Sequence, residues 1–328
     1  MTSETNNADS SLSPAPVAGR KTAFDGIHPS AKLIVLVGLV LCGIAVFSIL
    51  GIVVSTAFYH LNVFGNPGLF NDLTIPGVIP ALKIIQTASA LGAFVLPALF
   101  FARMSDRKPL SFLNLDVFPK AGWWPLAILT ILSAAPLINL LGELNSRMNL
   151  PAALSGLQHW MMDKEAEAAK LTAQFLKADG VGELAVNLII VALLAAIGEE
   201  LLFRGVLQNQ LFRWMKNKHA AIWVTAIVFS AFHMQFFGFL PRMAIGALLG
   251  YFYVWSGSLW VSILTHFTNN AFGVIVTYLI QHKAISVELD TVGNSKDDLV
   301  YILLSLVLTS VFIVLGWKIR TKREELAV

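Results

Sequence analysis

From Leu33 to Tyr59 the chain runs without a single Asp, Glu, Lys or Arg. A membrane-crossing helix needs about 20 mostly apolar residues, and this run exceeds that length. Comparable stretches recur near Ile79–Ala102, Trp123–Leu144, Glu183–Leu207, Ala220–Phe236, Leu240–Trp255, Leu259–Leu279 and Leu299–Trp317. The fifth and sixth also read as one broken hairpin around Gly238 and Pro241. Only 13% of the residues are charged, against about 25% in soluble domains. The expected fold is therefore all-α: a polytopic membrane bundle of about eight transmembrane helices.

Charge placement orients this bundle. Arg20, Lys21 and Lys32 precede the first span, whereas residues 60–78 hold no Lys or Arg. Arg103, Arg107, Lys108 and Lys120 follow the second span, Arg213, Lys216 and Lys218 the fourth, and Lys318, Arg320, Lys322 and Arg323 the last. All fall on one side of an eight-span chain, and the positive-inside rule makes that side cytoplasmic. Both termini are then cytoplasmic, and a bacterial inner membrane is the expected location. Leu154–Leu176 has apolar residues at helical spacing among mixed charges, and reads as an amphipathic helix on the outer interface. The basic residues sit at helix ends, which gives no reason to invoke nucleic acid. Cys42 is the sole cysteine, so neither an intrachain disulfide nor a cysteine metal site is available. The opening Ser-, Asn-, Pro- and Ala-rich stretch lacks the basic start and short apolar core of a signal peptide.

Four regions follow from this reading. Residues 1–31 form a disordered cytoplasmic tail, and 32–182 the N-terminal membrane helices with the outer loop. Residues 183–280 form a helical core, and 281–328 the last loop, final span and basic tail.

Ionisable side chains at membrane depth are costly and mark function by default. The fourth span carries Gly198-Glu199-Glu200-Leu201-Leu202-Phe203-Arg204. Residues four apart share a helix face, so Glu200 pairs with Arg204. Glu199 is rotated by about 100° and lacks a partner on its own helix. The fifth span offers Phe229 and His233 on one face. The seventh offers His266 with Asn270 one turn on, and Asn269 also competes by spacing. Counted from the span ends, Glu199, His233 and His266 all lie roughly 12–15 Å into the membrane at 1.5 Å per residue. One shared level points to one site.

Glu199-Glu200 with Arg204, Phe229 with His233, and His266 with Asn270 resemble the EExxxR, FxxxH and HxxxN motifs. These define the type II CAAX prenyl protease and bacteriocin-processing (CPBP, Abi) family of intramembrane endopeptidases. The resemblance covers about Glu183 to Leu279, with no departure at any motif position. It implies hydrolysis of a peptide bond in a membrane-embedded or lipid-anchored substrate, with CAAX-type processing one form. In the implied roles Glu199 activates a water with His233, and His266 and Asn270 donate to the oxyanion. Glu200, Arg204 and Phe229 support that constellation.

No cofactor is expected. Zinc is the alternative, on Glu199, His233 and His266. Against it, the chain has no HExxH, and no carboxylate is evident beside His233 or His266 to orient a ligand imidazole. A scaffold or immunity protein of the same fold remains a second reading, and a proton-coupled transporter a third.

Overall fold

In a computed structural model that describes residues 22–63, 65–66, 68–286 and 291–320, every long apolar run is helical, and no strand occurs among the described residues. The chain order is α1 (Pro29–Tyr59), α2 (Val78–Ser105), α3 (Trp123–Ser133), α4 (Ala135–Ser146) and α5 (Ser155–Leu176). There follow α6 (Val181–Met215), α7 (Lys218–Phe232), α8 (Phe239–Ser256), α9 (Leu259–Gln281) and α10 (Leu299–Ile319).

Six of these are long and apolar enough to cross a membrane, and seven spans result if α3 and α4, bent by 42°, count as one. The expected count of eight needs α7 to cross as well. Its 15 residues extend about 22 Å at 1.5 Å per residue, less than the roughly 30 Å hydrocarbon core. Met234, at φ 53°, departs from right-handed helix geometry just beyond α7, so the helix does not continue to Phe236 despite the apolar sequence. The alternative reading of a broken hairpin around Gly238 describes α7 and α8 better.

The tip of that hairpin is latched from several directions. Asn145 of α4 donates to the carbonyl of Phe236 (3.0 Å) and accepts from the Leu240 N–H (2.7 Å). Ser230 donates to the carbonyl of Phe239 (2.7 Å). Over the tip, Trp160 of α5 stacks at 5.6 Å on Phe236. The expected amphipathic helix is therefore present as α5, which buries only Phe175.

Along α1 and α10 residues such as Ile34, Phe58, Val300 and Val307 stay exposed. Apolar surface on all sides suits helices at the rim of a membrane bundle. The buried core lies between α2, α6, α8 and α9, around Phe101, Phe203, Tyr253 and Leu259. Residues 1–21 of the expected tail, with Arg20 and Lys21, lie outside the described residues, as do Lys322 and Arg323. Residues 22–31 are ordered instead: Thr22 and Asp25 close a turn, Phe24 packs at 5.0 Å against Phe101, and His28 caps α1. A buried aromatic ring is what draws this polar-looking segment onto the bundle.

Candidate active site

Helix α6 carries both glutamates in a short α-helical stretch, Ala195–Glu200, between two π-helical segments, Leu188–Leu194 and Leu201–Gln208. Such wide turns occur mostly at functional sites. Glu200 is fully buried and accepts from Arg204 Nη1 at 2.7 Å. Arg204 is equally buried, donates through Nη2 to the carbonyl of Gly246 (2.8 Å), and lies 4.7 Å over the Phe229 ring. One turn on, Gln208 donates to the carbonyl of Gly250 (3.3 Å). The expected Glu200–Arg204 pair thus belongs to a ladder from α6 to α8.

The ladder depends on Gly246 and Gly250. A Cβ at 246 would lie 3.2 Å from Ala226 Cα, and one at 250 only 2.7 Å from Gln208 Oε1 and 2.9 Å from Ile222 Cγ2. Small residues four apart let membrane helices approach closely. That spacing in the α8 sequence was the legible signal for a contact that the motif reading overlooked, and with it Gln208.

Glu199 faces the other way. Its Oε2 is buried without a hydrogen-bond partner, 4.0 Å from His233 Nε2 and 3.8 Å from His266 Nε2. The far nitrogen of each ring is anchored. His233 Nδ1 lies 2.9 Å from the carbonyl of Phe229, and His266 Nδ1 lies 2.8 Å from Glu200 Oε1. A carbonyl only accepts, and so does an ionised carboxylate. Both Nδ1 atoms therefore donate, and in neutral rings both Nε2 lone pairs turn toward Glu199. The Glu200 contact corrects the expectation that no carboxylate orients these histidines. It escaped notice because Glu200 and His266 are 66 residues apart and Glu200 already had a partner on its own helix.

Phe229 joins the groups. Its ring centroid is 5.1 Å from that of His233, 5.8 Å from that of His266 and 5.2 Å from that of Phe203, all edge-on. Asn270 stands somewhat apart: its Nδ2 donates to the carbonyl of Val191 (3.3 Å) and its Oδ1 accepts from Asn269 (3.2 Å). Neither asparagine hydrogen-bonds Glu199, His233 or His266. Val191 and Glu199 both line a cleft of about 280 Å³, to which α2 contributes Gln86, Thr87 and Phe94. Glu199, His233 and His266 thus converge.

Residues 181–272 match the family described as Type II CAAX prenyl endopeptidase Rce1-like. This stretch is therefore similar to an Rce1-like domain. It contains Glu199, Glu200, Arg204, Phe229, His233, His266 and Asn270, and leaves α1 to α5 and α10 outside. An uncharacterized protein of Bacillus subtilis (strain 168), YpbD, is 36% identical over 89 residues, 26% of this chain and 42% of that protein. The chain therefore matches less than half the length of this relative. No solved structure matches. The six long apolar helices, together with the likeness to that family, support an integral membrane protein.

Proposed function

We propose that the protein is an intramembrane endopeptidase in which Glu199 activates water against a peptide bond of a membrane-associated substrate. One observation carries this reading: the buried, unpartnered Glu199 Oε2 faces two imidazole Nε2 atoms at 4.0 and 3.8 Å. These gaps exceed a direct hydrogen bond, and a water between them would donate its two hydrogens to Glu199 and to one of the imidazoles.

The chemistry follows from the anchoring. Glu199 takes a proton from the water as its oxygen attacks the carbonyl carbon. His266 shares that proton at Nε2, and Glu200 on Nδ1 stabilises the imidazolium that forms, as a buried carboxylate does in a catalytic triad. The new Nε2–H then donates to the oxyanion or to the leaving amine. This refines the expected role of His266, which donates only once it has gained this second proton. His233, the more exposed of the two, positions the water. Asn270 has one amide hydrogen left beyond its bond to Val191 and offers it to the oxyanion.

Zinc is the rival, because two oriented Nε2 lone pairs and a carboxylate are a legitimate donor set. The groups stand wider than a bound metal would hold them. Tetrahedral ligands at about 2.1 Å from a metal sit roughly 3.4 Å apart, and among the described residues no three such groups converge closely enough.

The test compares membrane peptides from cells carrying wild-type protein and Glu199→Gln. A cleavage product present only with wild type supports hydrolysis. Identical peptide profiles, with equal amounts of folded protein, would leave a non-catalytic scaffold of the same fold.

A further inference from the structure

Arg242 is a charge that the site chemistry above does not use. It sits in the first turn of α8, just beyond the loop that carries His233, and is partly buried. Its guanidinium is held on one edge only: Nη1 donates to the carbonyl of Gln235 (2.9 Å) and Nη2 to Gln235 Oε1. Gly238 makes room for it, since a Cβ there would lie 2.5 Å from Nη2. Glu165 of α5 and Glu199 are both near enough for their charges to act on Arg242. Yet it forms an ion pair with neither, and Oε2 of both carboxylates is buried without a hydrogen-bond partner.

A partly buried cation that makes no ion pair with either of these carboxylates is a group open to a counter-charge. Its planar fork matches a carboxylate, the one anion that peptides carry in abundance. We propose that Arg242 is a carboxylate subsite beside the Glu199 centre, binding either the terminal α-carboxylate of a peptide substrate or an acidic side chain near its scissile bond. The inference rests on the reading of this centre as a peptide-binding one. Gln235 and Gly238 then serve to aim the fork, and the residues that latch the hairpin tip hold that aim relative to His233.

Binding rather than turnover tests it, in the full chain with Glu199→Gln and in nanodiscs of neutral phosphatidylcholine. The probes are three versions of one fluorescently labelled apolar peptide: free C-terminal acid, C-terminal amide, and C-terminal amide with Glu near the end. The acid or the Glu peptide should bind roughly 10- to 100-fold tighter than the plain amide, the range of a charge-assisted hydrogen-bonded pair. Which of the two prevails identifies the source of the carboxylate. Arg242→Gln should bring the three affinities together, and Gly238→Ala, which displaces the guanidinium without deleting it, should narrow the gap. A ratio within one variant is insensitive to partial loss of folded protein. Equal affinities in the parent chain, or a preference that survives Arg242→Gln, overturn the proposal. A clear preference combined with no peptide cleavage by wild type would retain the subsite and reject the protease.

Discussion

Glu200 Oε1 lies 2.8 Å from His266 Nδ1, and the same oxygen receives Arg204 Nη1 at 2.7 Å. One carboxylate oxygen thus joins the charge pair of α6 to an imidazole on α9. Its neighbour Glu199 addresses the opposite nitrogen of that ring at 3.8 Å. Two adjacent glutamates rotated by about 100° therefore hold one histidine between them, the first as anchor and the second across a gap.

Glu200→Gln should expose this division of labour. A glutamine amide can turn its NH₂ toward His266 and impose the tautomer with Nε2–H, which blocks proton acceptance from Glu199. The rate should fall by about 10²–10⁴, the usual contribution of a general acid–base group, with a changed pH–rate profile. An unaltered profile in a protein of normal yield would reject the coupling.

Arg204→Ala should act chiefly on folding. It leaves Glu200 without its guanidinium and removes the bond to Gly246, and breaking a buried pair costs about 3–5 kcal/mol. Glu199→Gln should be nearly silent in the same thermal-unfolding assay, because Glu199 Oε2 has no partner to lose. Equal destabilisation of the two variants would show that the glutamates have been assigned the wrong way round.

Gly250→Ala should be destabilising by about 1–3 kcal/mol through overpacking, since its Cβ meets Gln208 and Ile222. Gly273→Ala is the control: a Cβ there meets nothing within 4 Å, so the Tm should hold or rise, as helix propensity alone favours alanine. Similar Tm changes at both positions would dismiss the close α7–α8 approach as a source of stability.

Metal analysis separates water activation by Glu199 from the zinc alternative. The purified protein should hold no stoichiometric zinc and keep its activity after dialysis against a strong chelator. Elemental analysis of wild type, His233→Ala and His266→Ala decides it. About one zinc per chain, absent from both variants along with all activity, would point to the metal site that Glu199, His233 and His266 could form.

Topology is tested separately. With α7 as an eighth crossing, tags on both termini should be cytoplasmic, and a probe within residues 60–78 should react only from outside, in line with the distribution of Lys and Arg. Labelling of that loop from the cytoplasm would invert the orientation.

Much of this protein is determined locally and is legible in the chain itself. Uncharged runs such as Leu33–Tyr59 have to become membrane helices, because lipid leaves backbone groups no other partner. A Glu and an Arg four residues apart, at 200 and 204, meet because the helical repeat brings them together. That Glu199, His233 and His266 could meet followed from the helical rise alone. What the tertiary structure decided concerns groups whose partners come from distant helices. The sequence pairs Glu200 with Arg204 but is silent on His266, whose ring reaches it only when α9 packs on α6. It extends α7 to Phe236, whereas Met234 and the latch from Asn145 of α4 end the helix early and turn His233 toward Glu199. Arg242 reads as one stray charge in an apolar run until Gln235 and Gly238 aim it. Helical periodicity carries information across one or two turns; the direction of a buried side chain depends on what another helix leaves free for it.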